Sequence, residues 1–263
     1  MEPVIKLYPL PALELPLEGL YLGHDLRSQT ADHTHPFVYT NYVVSLDGRI
    51  AVPRADGAGM TVPPATSNGR DWRLFQELAV QAEVILTSGR YLRDYAQGNA
   101  QEILRVYDDP AFEDLKQWRL DRGLGLYPDF AVISASLDFP VPEALTGEGR
   151  RVIVATVDQS DPDRRKELAD EGAEVVLAGK ERVRGKALIA ALAALGYSFI
   201  YNATGPLVNH LLLRDDVLDR LYLTHAHRLL GGKPFDSIVT GDLLGPAIGM
   251  KLATIYLDAT ALD

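Results

Sequence analysis

The stretch KALIAALAALGYSFIYNATGPLVNHLLLR, residues 186–214, decides the fold class. Its first part is rich in Ala and Leu and predicts a helix over 186–195, with Gly196 at the C′ position. The aromatic and β-branched run that follows predicts a strand over 197–202. Gly205-Pro206 then opens a second helix, proline fitting the first turn because its missing N–H has no intrahelical partner there. A helix, a strand and a helix in so short a span are the unit of an α/β protein built on a mainly parallel sheet.

The alternation extends in both directions. An apolar run predicts a strand over 37–45, ending in the turn Leu46-Asp47-Gly48. Asp56-Gly57-Ala58-Gly59 and Pro63-Pro64 mark a loop, and a helix over 70–81 follows with Ser67 or Asn68 as N-cap. Further strands are predicted over 83–88, 130–134, 151–157 and 173–177. Asp109-Pro110 and Asp161-Pro162 open helices that Gly123 and Gly172 close, and the residues after 88 read as a polar stretch. Strands over 218–225 and 253–257 come with little helix, which predicts antiparallel pairing at the C-terminal edge. Residues 1–36 differ: Pro3, Pro9, Pro11 and Pro16 punctuate Leu10, Leu13, Leu15 and Leu17. This segment reads as an irregular arm lying on the domain or on a partner subunit, and 37–263 as the domain itself.

The chain has 263 residues, enough for a sizeable core, and no cysteine, which excludes disulfides, thiolate metal sites and a thiol nucleophile. A net charge of −10 spread along the chain argues against broad binding to nucleic acid or to an anionic membrane. The N-terminus lacks the pattern of a signal peptide and no apolar run is long enough to cross a bilayer, so a cytoplasmic location is expected.

Ligands of open α/β sheets bind beyond the carboxyl ends of the strands, and three strand ends stand out. Asn202-Ala203-Thr204-Gly205-Pro206 is either an anion seat, with Gly205 admitting a phosphate to the free N–H groups of a helix, or a plain tight connection. Thr87-Ser88-Gly89-Arg90 is either a second anion site, with Arg90 as a bidentate partner, or an ordinary turn. On 40–48, Asn41, Val43 and Ser45 share a strand face that Asp47 continues; these polar groups face a ligand, or Asp47 belongs to an Asp-Gly turn. His225 with His227 lacks an evident third metal ligand, and His33 with His35 lies in an arm too irregular to preset ligand geometry. Neither a nucleophile-elbow serine nor a phosphate loop ending in Gly-Lys-Ser/Thr is present.

From Pro36 onward, the order of Asn41–Gly48 with its Ser-Leu-Asp-Gly, Gly205-Pro206-Leu207, Leu211-Leu212, 217–221 and Leu230-Gly231-Gly232 resembles the reductase domain of the riboflavin-biosynthesis protein RibD. The resemblance implies a dihydrofolate-reductase-like fold: a central mixed, mostly parallel sheet flanked by helices, with an antiparallel C-terminal edge. It implies NADPH as cofactor, a pyrimidine- or pterin-like heterocyclic substrate, hydride transfer to a ribosyl carbon, and a homodimer. By the same resemblance Asn41, Ser45 and Asp47 orient the substrate. Ser88, Gly89, Arg90, Ser134, Thr156, Thr204, Gly205, Pro206 and Leu207 line the cofactor groove. The chain departs from the family pattern at Ala203-Thr204, where Glu-Gly is usual, at Ser88 and Tyr91, and at Ala79. No deaminase zinc motif accompanies the match. Two other readings stay open: a ligand-binding homologue without the cofactor, and dihydrofolate reduction.

Overall fold

Runs of Val, Ile, Phe and Tyr bounded by turn residues set the strands, and the polar caps Asn68, Ser88 and Asp161 open three of the helices. The computed structural model describes residues 1–28, 35–55, 57, 59–146 and 149–261. In chain order the elements are β1 (Val4–Tyr8), β2 (Leu13–Leu15), β3 (Phe37–Ser45), β4 (Val52–Pro53), β5 (Met60–Thr61), α1 (Gly69–Ala79), β6 (Val84–Ser88), α2 (Gly89–Ala96), α3 (Glu113–Leu120), β7 (Asp129–Ile133), α4 (Glu143–Thr146), β8 (Val152–Thr156), α5 (Pro162–Asp170), β9 (Ala173–Leu177), α6 (Gly185–Ala194), β10 (Phe199–Asn202), α7 (Pro206–Arg214), β11 (Arg220–Ala226) and β12 (Ile255–Leu257). The caps are those expected: Asn68 Oδ1 accepts from the N–H groups of Arg70 and Asp71, and Asp161 from those of Asp163 and Arg164.

Seven strands form one sheet in the order β11-β3-β10-β6-β7-β8-β9. Every adjacent pair is parallel, so the sheet is not mixed. The connection from β10 to β11 contains α7, which returns the chain to the starting end and lands β11 parallel to β3. The antiparallel pairing expected of the C-terminal part lies elsewhere, in a small sheet of order β12-β1-β2. There β12 is reached through 227–254, a segment without helix or long strand. Both faces of the large sheet are covered. Phe37, Tyr39, Ile85, Phe130 and Tyr201 pack with Leu78 of α1 and Leu115 of α3, while Val38, Leu86, Ile153 and Ile200 pack with Leu188 of α6 and Leu212 of α7.

The Pro-rich segment is more regular than its composition predicts. It supplies β1 and β2, buries Val4, Leu17 and Leu20 in a satellite cluster, and places Leu26 in the main core. Glu77 of α1, fully buried, holds it by accepting from the N–H groups of Gly19 (2.6 Å) and Tyr21 (2.9 Å), with Arg73 Nε as its ion pair at 2.9 Å. His24 adds a second fastening: its Nδ1 lies 2.9 Å from Tyr222 Oη and its Nε2 2.7 Å from Tyr256 Oη. Residues 29–34, with His33, and the loop positions Asp56 and Ala58 lie outside the described residues. The polar stretch after residue 88 contains a helix, α2, that the sequence reading leaves out. Its N-cap, Ser88, is also the last strand residue, so no separate start signal exists.

Candidate active site

Because the seven strands are parallel, their carboxyl ends share one rim. It carries Ser45 at the end of β3, Asn202 at the end of β10, Ser88 at the end of β6, Ser134 just past β7 and Thr156 at the end of β8. The centre of the rim is β10, inserted between β3 and β6. Helices α1 and α2, which follow those neighbours, cover one face, whereas α7, which follows β10, covers the other. Such a divergence, at a switch point of the strand order, is where open α/β sheets bind nucleotides.

The turn after β10 is held by a set of hydrogen bonds. Asn202 is buried, and its Oδ1 accepts from Thr204 Oγ1 (2.6 Å) and Thr204 N (3.3 Å), closing a local turn. Tyr42 Oη of β3 donates to the Thr204 carbonyl at 3.2 Å, and the Ala203 N–H donates to Leu86 O at 3.2 Å. The Thr204 hydroxyl is therefore folded back onto Asn202. Gly205 is the N-cap of α7, with extended backbone (φ −79°, ψ −176°) and no side-chain cap. A Cβ added there would meet nothing within 4 Å. Neither backbone angle nor packing within the chain requires glycine at this position. What remains is a bare helix N-terminus flanked by the exposed Leu207, with orphan N–H groups and a positive dipole end at the rim.

On β3, Asn41 Oδ1 accepts from Tyr201 Oη, so the two side chains are joined at the middle of the sheet. Ser45 Oγ donates to Asp47 Oδ1 at 2.6 Å. Asp47 also accepts from Leu230 N (3.2 Å) and Gly231 N (2.8 Å), and these three hydrogen bonds, the Ser45 one foremost, lower its pKa to about 2. Arg49, buried to 1% exposure, donates to the carbonyls of Gly232 and Pro234 and stacks on Phe235. Asp47 and Arg49 thus grip one loop, 230–235, from its N–H and C=O sides.

The other predicted residues lie along the rim in different settings. Ser88 Oγ accepts from Tyr91 N, and a Cβ on Gly89 would come within 2.6 Å of Phe139, so that glycine serves ring packing. Arg90 lies against Gly59 and donates to Met60 O at 3.3 Å, tying α2 to the β4–β5 hairpin, with Asp94 at 3.6 Å. Ser134 Oγ accepts from Leu137 N at 3.0 Å. Thr156 is fully buried at the end of β8, and its Oγ1 has no hydrogen-bond partner. Pro206 fills the first turn of α7.

Three residues in this region escape the sequence reading: Tyr201, Arg49 and Asp71. Asp71, on α1, hydrogen-bonds Thr224 of β11, and its pKa is raised, burial outweighing that bond. Its spacing is a visible signal, since an acid at i with Phe75 and Leu78 at i+4 and i+7 lies on the apolar face of a helix. His225 and His227 are exposed, and among the described residues no three His, Cys, Asp or Glu groups converge.

Residues 36–256 match a family model described as the RibD C-terminal domain. The chain is 25% identical over 224 residues to the 2,5-diamino-6-ribosylamino-4(3H)-pyrimidinone 5′-phosphate reductase of Methanothermobacter thermautotrophicus, covering 84% of this chain and 93% of that protein. Among solved structures it is similar to a pyrimidine reductase-like protein from Corynebacterium diphtheriae, with a TM-score of 0.64, 20% identity, and 92% and 96% of the two chains covered. It is also similar to RibD of Acinetobacter baumannii, with a TM-score of 0.57 and 17% identity over 85% of this chain and 57% of that one.

Proposed function

The chain belongs to the RibD C-terminal domain family, and from that premise we propose that it is a cytoplasmic, NADPH-dependent reductase of a pyrimidine- or pterin-like heterocycle carrying a ribosyl phosphate. The observation that carries this reading is the turn at Gly205. A glycine that the chain itself does not need caps an otherwise uncapped helix beyond the central strand, which leaves room for a phosphate at the N–H groups of α7. The unpartnered Thr156 Oγ1 on the same rim is a second polar group suited to a ligand.

In this reading Gly205, Pro206 and Leu207 seat the cofactor phosphates, and Ser88, Gly89, Ser134 and Thr156 line the rest of the groove. Arg90 borders it from the β4–β5 side, and Thr204 holds the turn through Asn202. When bound, NADPH supplies the hydride that converts the ribosyl carbon to a ribityl carbon. The protein's share is alignment, because hydride transfer depends on two reactants held in contact. Asn41, oriented by Tyr201, is placed for the heterocycle. Asp47 and Ser45, with both Asp47 oxygens engaged, act on the substrate through the loop that they anchor. The homodimer seam belongs to β11, an edge strand with Leu223 exposed, and to the exposed Leu229 beyond it.

A thermal melt with NADPH tests the cofactor, and consumption of the nicotinamide absorbance with a ribosylaminopyrimidine phosphate tests turnover. Ligand at a hundred times its Kd contributes about 2.7 kcal/mol to stability, which for a chain of this size is a Tm rise of several degrees. NADPH should give that rise and NADH a smaller one. Absence of a shift with either dinucleotide, together with binding of a substrate analogue, would establish the second reading, a homologue that binds without turnover. The engaged carboxylate of Asp47 is the observation that favours it.

A further inference from the structure

The opposite end of the large sheet holds a cavity of about 400 Å³. It lies where the strands begin, so it is separated from the rim described above by the length of the strands. Its lining includes Arg119, Arg150, Leu124, Leu126, Tyr127 and Tyr197. The two arginines are buried, at 1% and 8% exposure.

Arg119 is the unusual group. Its Nη1 donates to the carbonyls of Val80 and Ala82, both at 2.8 Å, and its Nε to Gly125 O at 2.6 Å. These bonds explain Nε and Nη1, which clamp the chain leaving α1. They leave Nη2 without a partner. Among the described residues no carboxylate forms an ion pair with Arg119, and burial lowers its pKa to about 10. The charged groups acting on it include two further cations, Arg27 and Arg150. A buried cation with free N–H groups and no counter-ion is costly unless something else supplies the charge.

The two lining carboxylates are already committed. Glu83 accepts from Arg27 at 2.9 Å and from the N–H groups of Ser198 and Phe199. Asp129 accepts from Arg151 N (2.7 Å) and Tyr197 Oη (2.6 Å). Arg150 gives Nη1 to Glu102 at 2.8 Å, but its Nε and Nη2 have no partner. Its guanidinium instead lies over Tyr127 (4.4 Å) and Phe130 (4.5 Å). The cavity therefore combines unpaired guanidinium N–H groups with aromatic and leucine walls, and its volume is that of a small-molecule site.

We propose that this cavity is a second ligand site, for a small organic oxyanion with a flat apolar body, a carboxylate or a phosphate monoester, bound through Nη2 of Arg119. Calorimetric titration of the full-length protein with phenyl phosphate and with benzoate tests it, with inorganic phosphate as the arm that lacks the flat body. At least one organic anion should bind, and bind at least tenfold more tightly than inorganic phosphate. Arg119→Lys, which keeps the charge and loses the fork, should weaken that binding at least tenfold. Because Arg119 also clamps α1, a second variant is needed. Leu126→Trp narrows the cavity from a partly exposed wall, leaves the clamp intact, and should abolish binding with no loss of Tm. Absence of binding by both organic anions overturns the site, as does binding that survives Leu126→Trp. Equal affinity for inorganic phosphate overturns the assignment of a flat ligand.

Discussion

Asp71 shows how much one buried acid costs and what it gives in return. It faces the sheet from α1, where Phe75 packs edge-on against Tyr201, and burial raises its pKa above the ordinary 3.8. A carboxyl raised in this way binds more protons folded than unfolded, so it subtracts stability as pH rises above 3.8. Asp71→Asn should therefore raise the Tm at pH 7 by more than at pH 4, and should lower turnover if the acid is retained for function. A Tm that falls at pH 7 would contradict the burial argument. At this scale the sequence was readable for the set Asn41, Ser45 and Asp47, which shares one strand face, whereas Asp71 was passed over although its spacing marks it. The sequence was silent about their partners. Asp47 is met by backbone N–H groups of Leu230 and Gly231, which carry no residue-specific mark, and Tyr201 reaches Asn41 only through strand register.

Among the elements, α7 starts without a side-chain cap, as α3 and α6 do, and it alone of the three does so at a glycine beyond the carboxyl end of a central strand. Helices α1, α2 and α5 each have a side-chain cap, whereas α7 begins at a bare glycine. Gly205→Asp would supply a cap and a favourable charge at the dipole, worth about 0.5 kcal/mol, and the open space around its Cβ accommodates it. Melts should show an unchanged or slightly raised Tm, while NADPH affinity falls at least tenfold, since the new carboxylate occupies and repels the phosphate seat. Undiminished affinity would move the phosphates away from α7. The strands of the large sheet were legible from composition because each is a short apolar run between turns. β1 and β2 were not, since they are short, flanked by prolines, and built into a sheet by β12, which pairs with β1 from the far end of the chain. α2 was missed because its polar residues and strand-end cap imitate a loop.

Across the whole molecule, His24 joins the N-terminal segment to β11 and β12. Burial first and Arg220 second lower its pKa to about 4, whereas an unfolded histidine titrates near 6.5. Between those values the unfolded chain binds more protons, so the contribution is complete above 6.5 and is lost as pH falls toward 4. The Tm difference between wild type and His24→Gln should shrink across that window; a constant difference would remove His24 as the titrating group. The place of β10 in the sheet has a further consequence, for synthesis. It lies between β3 and β6 although it follows both in the chain. While the ribosome is still adding residues 89–198, those two strands have no common neighbour, and each presents an unpaired edge of the kind that recruits other chains. Insertion of four residues, Phe199–Asn202, closes both edges at once. A nascent chain is thus most exposed to misassociation in the interval just before this strand emerges, when a chaperone would matter most.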